Sequence, residues 1–194
     1  MNQTVSYYDE YAKEYCAATA DADMSFCRGK FMDCLPTGAH ILDAGCGSGR
    51  DSKVFLEKGF SVTAMDASEK MCKEAEKLLG QAVLQLSFEK INYHNEFDGI
   101  WACASLLHVA KSEINSVIQN LKSALKPDGI LYVSFKYGTE ERIAQGRLFN
   151  DYDESLLITL LKGNDFTVND VFITEDVREE KQGEKWVNAV CKKN

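Results

Sequence analysis

The chain has 194 residues, 45% apolar and 27% charged, which fits one domain with a core of ordinary size. Its 22 basic and 30 acidic residues leave a net charge of −8 with no Lys/Arg block. That field argues against nucleic acid as a partner and for a protein or a neutral or cationic small molecule. Seven cysteines (Cys16, Cys27, Cys34, Cys46, Cys72, Cys103 and Cys191) are scattered, odd in number and without a C-x-x-C pair. They exclude a disulfide framework or a zinc site and read as reduced, buried side chains of a cytoplasmic protein. The N-terminal run "MNQTVSYYDEYAKEY" is too polar for a signal peptide, and no apolar run approaches membrane-spanning length, so no membrane partner is expected.

The first predicted element is a helical region over roughly 3–35, broken near "TADAD". "HILDA" is a short apolar strand that runs into a glycine-rich loop. A helix follows from about Arg50 to Lys58, closed by Gly59. "FSVTAMD" is the second strand, and Ser68 caps a helix through "EKMCKEAEKLL" that stops at Gly80. "AVLQL" and "FDGIWACA" are the third and fourth strands, the latter nearly free of charge, as a strand buried on both faces should be. The run "SEINSVIQNLKSALK" puts Ile114, Val117, Ile118, Leu121 and Leu125 on one helical face. "KPDG" turns the chain into the strand "ILYVSF". A helix near "DESLLITLLKGN" and the strands "FTVNDVFI" and "KWVNAVCK", joined through "REEKQGE" as an antiparallel hairpin, complete the chain.

Strands alternating with helices predict an α/β fold with a parallel sheet and helices on both faces. Ligands of such sheets bind at the carboxyl ends of the strands. Asp43, Asp66, Ser87, Cys103 and Lys136 all fall at or just past strand ends and should line one rim. The loop Asp43-Ala-Gly45-Cys-Gly47-Ser-Gly49 is G-x-G-x-G, and Arg50 stands where a dinucleotide fingerprint needs its third glycine. No G-K-[ST] follows, so a phosphate-binding P-loop fails too. The loop suits a ligand that must touch main chain rather than have phosphates neutralised. Asp66, at the second strand end, can accept two hydrogen bonds from a ribose diol.

"LDAGCGSGRD", "AMDAS" and "FDGIWACASLLHV" resemble the motifs of class I S-adenosylmethionine-dependent methyltransferases, over roughly residues 39–135. The likeness is greatest to the small stand-alone enzymes of the tellurite-resistance and methyltransferase-25 types. The resemblance implies a three-layer Rossmann-like sandwich over 1–194, with a seven-stranded sheet of order 3-2-1-4-5-7-6 and strand 7 antiparallel. It implies S-adenosyl-L-methionine as cofactor and S-adenosyl-L-homocysteine as product. Asp43, Gly45, Cys46, Gly47 and Gly49 would hold the methionine end and ribose, and Asp66 the ribose hydroxyls. Ala67 and Met71 would flank the adenine, and Cys103 would offer its backbone to the methionine amine. Many relatives bind the adenine amino group with an aspartate after the third strand; here the run is "LQLSFEK", which leaves Ser87 or the Phe88 backbone.

Methyl transfer from a sulfonium needs an in-line nucleophile, a dry pocket and only sometimes a base. His108 in "SLLHV" reads either as a base or donor at the rim or as a histidine satisfied by backbone. Tyr8, Tyr11 and Tyr15 recur at helical spacing, which fits core packing. The resemblance adds a second reading, a lid over the cofactor formed by 1–35, in which Tyr11 and Tyr15 join His108 at the chemistry and Tyr8 meets the substrate. Lys136, Tyr137 and Arg147 are candidates for the substrate mouth, with an ion pair to Asp151 or Asp153 as the other reading of Arg147. No [DN]-P-P-[FYW] tetrad and no Pro-Cys pair occur, which counts against base-amine, glutamine-amide and cytosine-C5 methylation. The expected protein is a monomeric or homodimeric, metal-free methyltransferase acting on a small molecule. The competing readings are a non-catalytic S-adenosylmethionine-binding regulator and, opposed by Arg50, an oxidoreductase.

Overall fold

The computed structural model describes residues 3–178 and 181–194. Five strands run parallel: β1 (His40–Ala44), β2 (Ser61–Asp66), β3 (Leu84–Gln85), β4 (Phe97–Ala102) and β5 (Leu125–Lys136). A short antiparallel pair, β6 (Glu141–Ala144) and β7 (Arg147–Asn150), stands apart from them. β8 (Phe166–Glu175) and β9 (Lys185–Lys193) close the main sheet, in which β9 pairs antiparallel with both β5 and β8. The order is β3-β2-β1-β4-β5-β9-β8, the expected topology once the separate pair is set aside.

The helices α1 (Gln3–Glu10), α2 (Ala12–Thr19) and α3 (Ser25–Met32) precede the sheet, and α4 (Arg50–Glu57), α5 (Glu69–Leu79), α6 (Ile114–Ala124) and α7 (Glu154–Gly163) cross it. Ser68 caps α5, its Oγ accepting from Met71 N at 3.1 Å, and Gly80 ends that helix in the left-handed region at φ +67°. Asp153 caps α7 in the same way, accepting from Leu156 N at 2.8 Å.

Residue alternation along the central strands builds two cores. Leu42, Ile100, Leu131 and Val133 face α6 and α7, whereas Ile41, Trp101 and Tyr132 face Phe31 of α3 and Phe55 of α4. Trp101 and Tyr132 stack at 3.9 Å with their planes 13° apart, both fully buried. Because Phe31 is fully buried against them, α3 belongs to the core. Residues of α1 and α2, and Phe26 and Cys27 at the start of α3, line a cavity at the carboxyl ends of the strands.

Three expectations change. The strand "AVLQL" shrinks to two residues at the sheet edge. "KPDG" is taken into β5 as an irregularity in its register with β4, with Asp128 at φ +61°. The stretch after β5, for which no strand is predicted, holds the β6–β7 hairpin. Its two-residue turn, Gln145-Gly146, takes positive φ at both positions, as tight hairpins require. The connection between β8 and β9 includes Glu179 and Glu180, which fall outside the described residues.

Candidate functional site

A cavity of about 950 Å³ opens at the carboxyl ends of β1, β2, β4 and β5, at the upper end of the range for small-ligand sites. All five predicted strand-end residues line it, together with Gly45, Cys46, Gly47, Ala67, Met71, Phe88, His108, Tyr8, Tyr15, Tyr137 and Arg147.

The glycine loop forms one wall, and its three glycines have three different reasons. A Cβ on Gly45 would lie 2.5 Å from Ser105 Cβ, whose Oγ donates to the Ala44 carbonyl at 2.7 Å. A Cβ on Gly49 would press on Leu79 and Ala75 of α5 at 3.1–3.2 Å. Gly47, at φ +56°, is the one of the three where a Cβ would meet no close neighbour, with the Met71 methyl at an ordinary contact distance of 3.6 Å. Gly45 and Gly47 line the cavity, whereas Gly49 does not and packs against α5.

Asp66 receives one main-chain hydrogen bond on each oxygen, from Gly47 N at 3.0 Å and Ser68 N at 2.9 Å. Each carboxylate oxygen keeps a further lone pair. Burial raises its pKa, against the main-chain bonds. Asp43 is 2% exposed beneath the loop and accepts from Ser52 Oγ at 2.6 Å. Burial and the nearby Asp51 push its pKa up to about 7. Burial also acts on Asp51, but hydrogen bonds and charge from Arg50 and Arg28 outweigh it and hold the carboxyl below its ordinary value. Trp101 Nε1 donates to the same carboxylate at 3.1 Å. Arg50, which marks the departure from the dinucleotide fingerprint, therefore serves a buried ion-pair network at the cavity floor.

After β4 the chain turns through Ala104, a non-glycine residue at φ +51°, held by its N–H donating to Ser134 Oγ at 2.8 Å. This turn brings the Cys103 backbone to the cavity; burial keeps the Cys103 thiol protonated.

The opposite wall is made of side chains from distant parts of the chain. His108 Nδ1 lies 2.6 Å from the Leu148 carbonyl, which can only accept, so Nδ1 carries the proton. Nε2 is then an acceptor, and Tyr8 Oη–H donates to it at 2.8 Å. Burial lowers the His108 pKa to about 4, and the charge of Arg147 adds to the effect. Of the two readings of His108, the Leu148 bond fits a histidine satisfied by backbone, and Nε2 in addition orients the Tyr8 hydroxyl. Tyr15 packs edge-on against Tyr8 at 5.1 Å inside the cavity. Tyr11 is 42% exposed, leans on Tyr7 and does not line the cavity, so it is set apart from the site.

The Lys136 ammonium is taken up by Asp176 at 3.0 Å and by Glu184, above the Trp186 ring. Tyr137 stands at the exposed rim and donates to Glu154 at 3.0 Å. Arg147 makes no ion pair with Asp151 or Asp153; Arg142 pairs with Asp151 instead, at 2.8 Å. Ser105, Asp176 and Glu184 carry no local signal, because their partners Ala44 and Lys136 lie 61, 40 and 48 residues away, and Arg142 carries none although Asp151 is nine residues on. Among the described residues, no group of three metal-ligating side chains comes together, and no helix is long and apolar enough to cross a membrane.

Residues 41–129 match the family model described as a methyltransferase domain. The chain is 34% identical over 134 residues to YqeM of Bacillus subtilis, itself a methyltransferase by inference, covering 63% of this chain and 53% of YqeM. It spans about half the length of the curated relatives it matches. The 1,6-didemethyltoxoflavin-N1-methyltransferase of Burkholderia thailandensis, solved with its substrate and S-adenosylhomocysteine, superposes with a TM-score of 0.83 at 24% identity, covering 98% of this chain and 87% of that one. A TehB-like methyltransferase from Corynebacterium glutamicum gives a TM-score of 0.71 at 20% identity, covering 97% and 99%. At these identities the two structures speak for the fold, and the family match covers the glycine loop, Asp66 and the turn after β4. Residues 41–129 thus match a methyltransferase domain, and the chain shares its fold with the two solved methyltransferases.

Proposed function

We propose that the protein transfers a methyl group from S-adenosylmethionine to a small-molecule acceptor. The observation that carries this reading is the position of Gly47. Its missing side chain leaves space at the cavity wall directly beside Asp66, a carboxylate fixed by two main-chain N–H groups and still able to accept. The residues fit an uncharged nucleoside: open main chain, an acidic group for a diol, and no cluster of unpaired cations at the loop.

In this reading Asp66 holds the ribose hydroxyls, and Gly47 and Cys46 give the main-chain contact. Met71, Ala67 and Phe88 enclose the base, with Ser87 beside it. Asp43 and the Cys103 backbone face the amino-acid end. When bound, the cofactor supplies an electrophilic methyl group. The chain's own part is to bind, orient and exclude water. Tyr8 and Tyr15 cover the cavity from α1 and α2, and His108 fixes the Tyr8 proton toward itself, which leaves the Tyr8 oxygen to accept from Arg147 and, on its second lone pair, from the acceptor's donor group. Neutral and weakly basic, His108 serves as a positioning residue. The volume of the cavity, about 950 Å³, supports a small acceptor.

Isothermal titration should show binding of S-adenosylmethionine and S-adenosylhomocysteine and none of NAD. Asp66→Ala should weaken that binding by about 1.5–3 kcal/mol per charge-assisted bond lost while the protein stays folded. Incubation with isotope-labelled cofactor and mass spectrometry of small-molecule extracts should show transferred methyl groups. Preference for NAD would defeat the proposal.

A further inference from the structure

We propose that Arg147 is a carboxylate-binding residue of the acceptor subsite, so that the acceptor is an anionic molecule with an apolar body; this rests on the methyltransferase reading above. The half-buried cations around the cavity are otherwise matched. Arg50 pairs with Asp51, Lys136 with Asp176 and Glu184, Arg142 with Asp151, Arg178 with Asp176, and Lys181 with Glu184. Arg147 alone among these has no carboxylate partner among the described residues. Its polar partners are Gln145 Oε1, at 2.8 Å from Nη2, and the Tyr8 hydroxyl oxygen, both uncharged. Its Nε is buried without a hydrogen-bond partner, which is unusual for an N–H of a charged group.

What fixes this side chain is aromatic. The guanidinium carbon lies 4.2 Å from the Tyr7 ring centre, 5.2 Å from Phe149 and 5.9 Å from Tyr8. Such stacking holds the plane and leaves the donor edges for a ligand. A planar fork with unused donors matches the two oxygens of a carboxylate. The surroundings set the rest of the molecule. Val5, Leu107, Val109, Ala144 and Phe149 line the same cavity. Ala144 is the cross-strand partner of Arg147, and Phe149 packs on both Arg147 and His108. Tyr8, with its proton committed to His108, accepts from the guanidinium and keeps its second lone pair for the group to be methylated. The negative charge of the whole chain favours cationic or neutral ligands at long range, but here a fixed local cation reverses that preference.

The test uses full-length protein saturated with S-adenosylhomocysteine and ligand-observed NMR titration of benzoate, benzamide and phenyl phosphate. Benzoate should bind, with benzamide about tenfold weaker or more, since it lacks the charge. Arg147→Gln should weaken benzoate by about tenfold, and Arg147→Lys, which keeps the charge but not the fork, by about threefold or more. S-adenosylhomocysteine affinity should stay within about twofold in both variants. Should Arg147→Gln not fold, Arg147→Lys decides. Equal binding of benzamide, no benzoate binding, or variants that bind benzoate like the wild type would overturn the proposal. So would a tenfold preference for phenyl phosphate, which would replace carboxylate by phosphate. A variant that weakens S-adenosylhomocysteine but not 5′-methylthioadenosine would assign Arg147 to the cofactor's own carboxylate and likewise overturn it. Failure of the wild type to bind S-adenosylhomocysteine at all would bring down the methyltransferase reading first.

Discussion

At the glycine loop the cavity wall is main chain: Gly47 with no side chain in front of it, and Asp66 clamped by the N–H groups of Gly47 and Ser68. Across the cavity the wall is side chains from three separate places. Tyr8 of α1 meets His108 after β4, His108 meets the Leu148 carbonyl of β7, and Thr4 Oγ1 accepts from Leu148 N at 3.1 Å. The first wall is laid down within about thirty residues of chain, and its shape follows from local backbone rules. The second is joined by contacts 100, 40 and 144 residues apart and exists only once the fold has closed. A wall of the first kind can hold one invariant ligand. A wall of the second kind can change its specificity one residue at a time.

The sharpest break between the walls should come from Gly47→Val. A β-branched residue at φ +56° costs about 1–3 kcal/mol of stability and fills the space beside Asp66. S-adenosylhomocysteine affinity should then fall by about a hundredfold or more. Gly49→Val should behave differently. Its side chain would strike Leu79 and Ala75, so urea unfolding should show a larger loss of stability than Gly47→Val, with the binding of the surviving folded protein less affected. If calorimetry and unfolding rank the two variants the other way, the cradle is not at Gly47.

This division also explains what was legible in the sequence. The strand–loop–helix grammar around Asp43, Gly47 and Asp66 carries its own signals: an apolar run, glycines, an acid at a strand end, and a Ser68 cap. The strands themselves follow from the same grammar, whereas their order came with the resemblance to the methyltransferases. Tyr11 was misplaced because helical spacing puts it on the face of Tyr8 and Tyr15, whereas the chain breaks at Glu10 and starts a second helix. Gly49 looked like a ligand contact because a glycine forced by a neighbouring helix and one forced by a ligand read alike. Arg147 lies in a hairpin whose only local mark is Gln145-Gly146, and the role of its neighbours depends on aromatic rings more than 130 residues away.

The two walls should also titrate in opposite senses. In the folded chain Asp43 keeps its proton up to about 7, against 3.8 ordinarily, because burial and Asp51 disfavour its charge. The folded state thus holds more protons between these values, and stability falls as pH rises through the window. His108 takes up its proton only near about 4 when folded, against 6.5 ordinarily. There the unfolded state holds more protons, and stability falls as pH drops from 6.5 toward 4. Each limiting slope is about 1.4 kcal/mol per pH unit, and the two oppose each other between pH 4 and 6.5. Asp43→Asn should leave the histidine slope, so its stability relative to wild type should improve as pH rises. His108→Gln should show the reverse. Urea unfolding of the three proteins at pH 4.5, 5.5 and 6.5 checks this, with other groups cancelling in the differences. Parallel curves for both variants would mean that these two groups do not carry the opposition.

The smallest effect expected lies where the two walls are joined. Asp9 of α1 accepts from Ser68 Oγ at 2.6 Å and from Lys70 N at 3.3 Å, so α1 is pinned to the N-terminus of α5, where a carboxylate also meets the positive end of the helix dipole. The residue is half-buried, and the attachment is worth about 0.3–1 kcal/mol. Asp9→Ala removes this tether but leaves Thr4–Leu148 and Tyr8–His108 in place, so α1 should open more often without leaving. Amide exchange in α1 should quicken by about two- to fivefold, with α3 unchanged because Phe31 anchors it in the core. Addition of S-adenosylhomocysteine should slow α1 exchange in wild type and variant alike, since a segment that covers a ligand is ordered by it. If exchange in α1 ignores both the substitution and the ligand, α1 is a fixed part of the wall. The acceptor would then have to enter elsewhere, past the exposed rim at Tyr137.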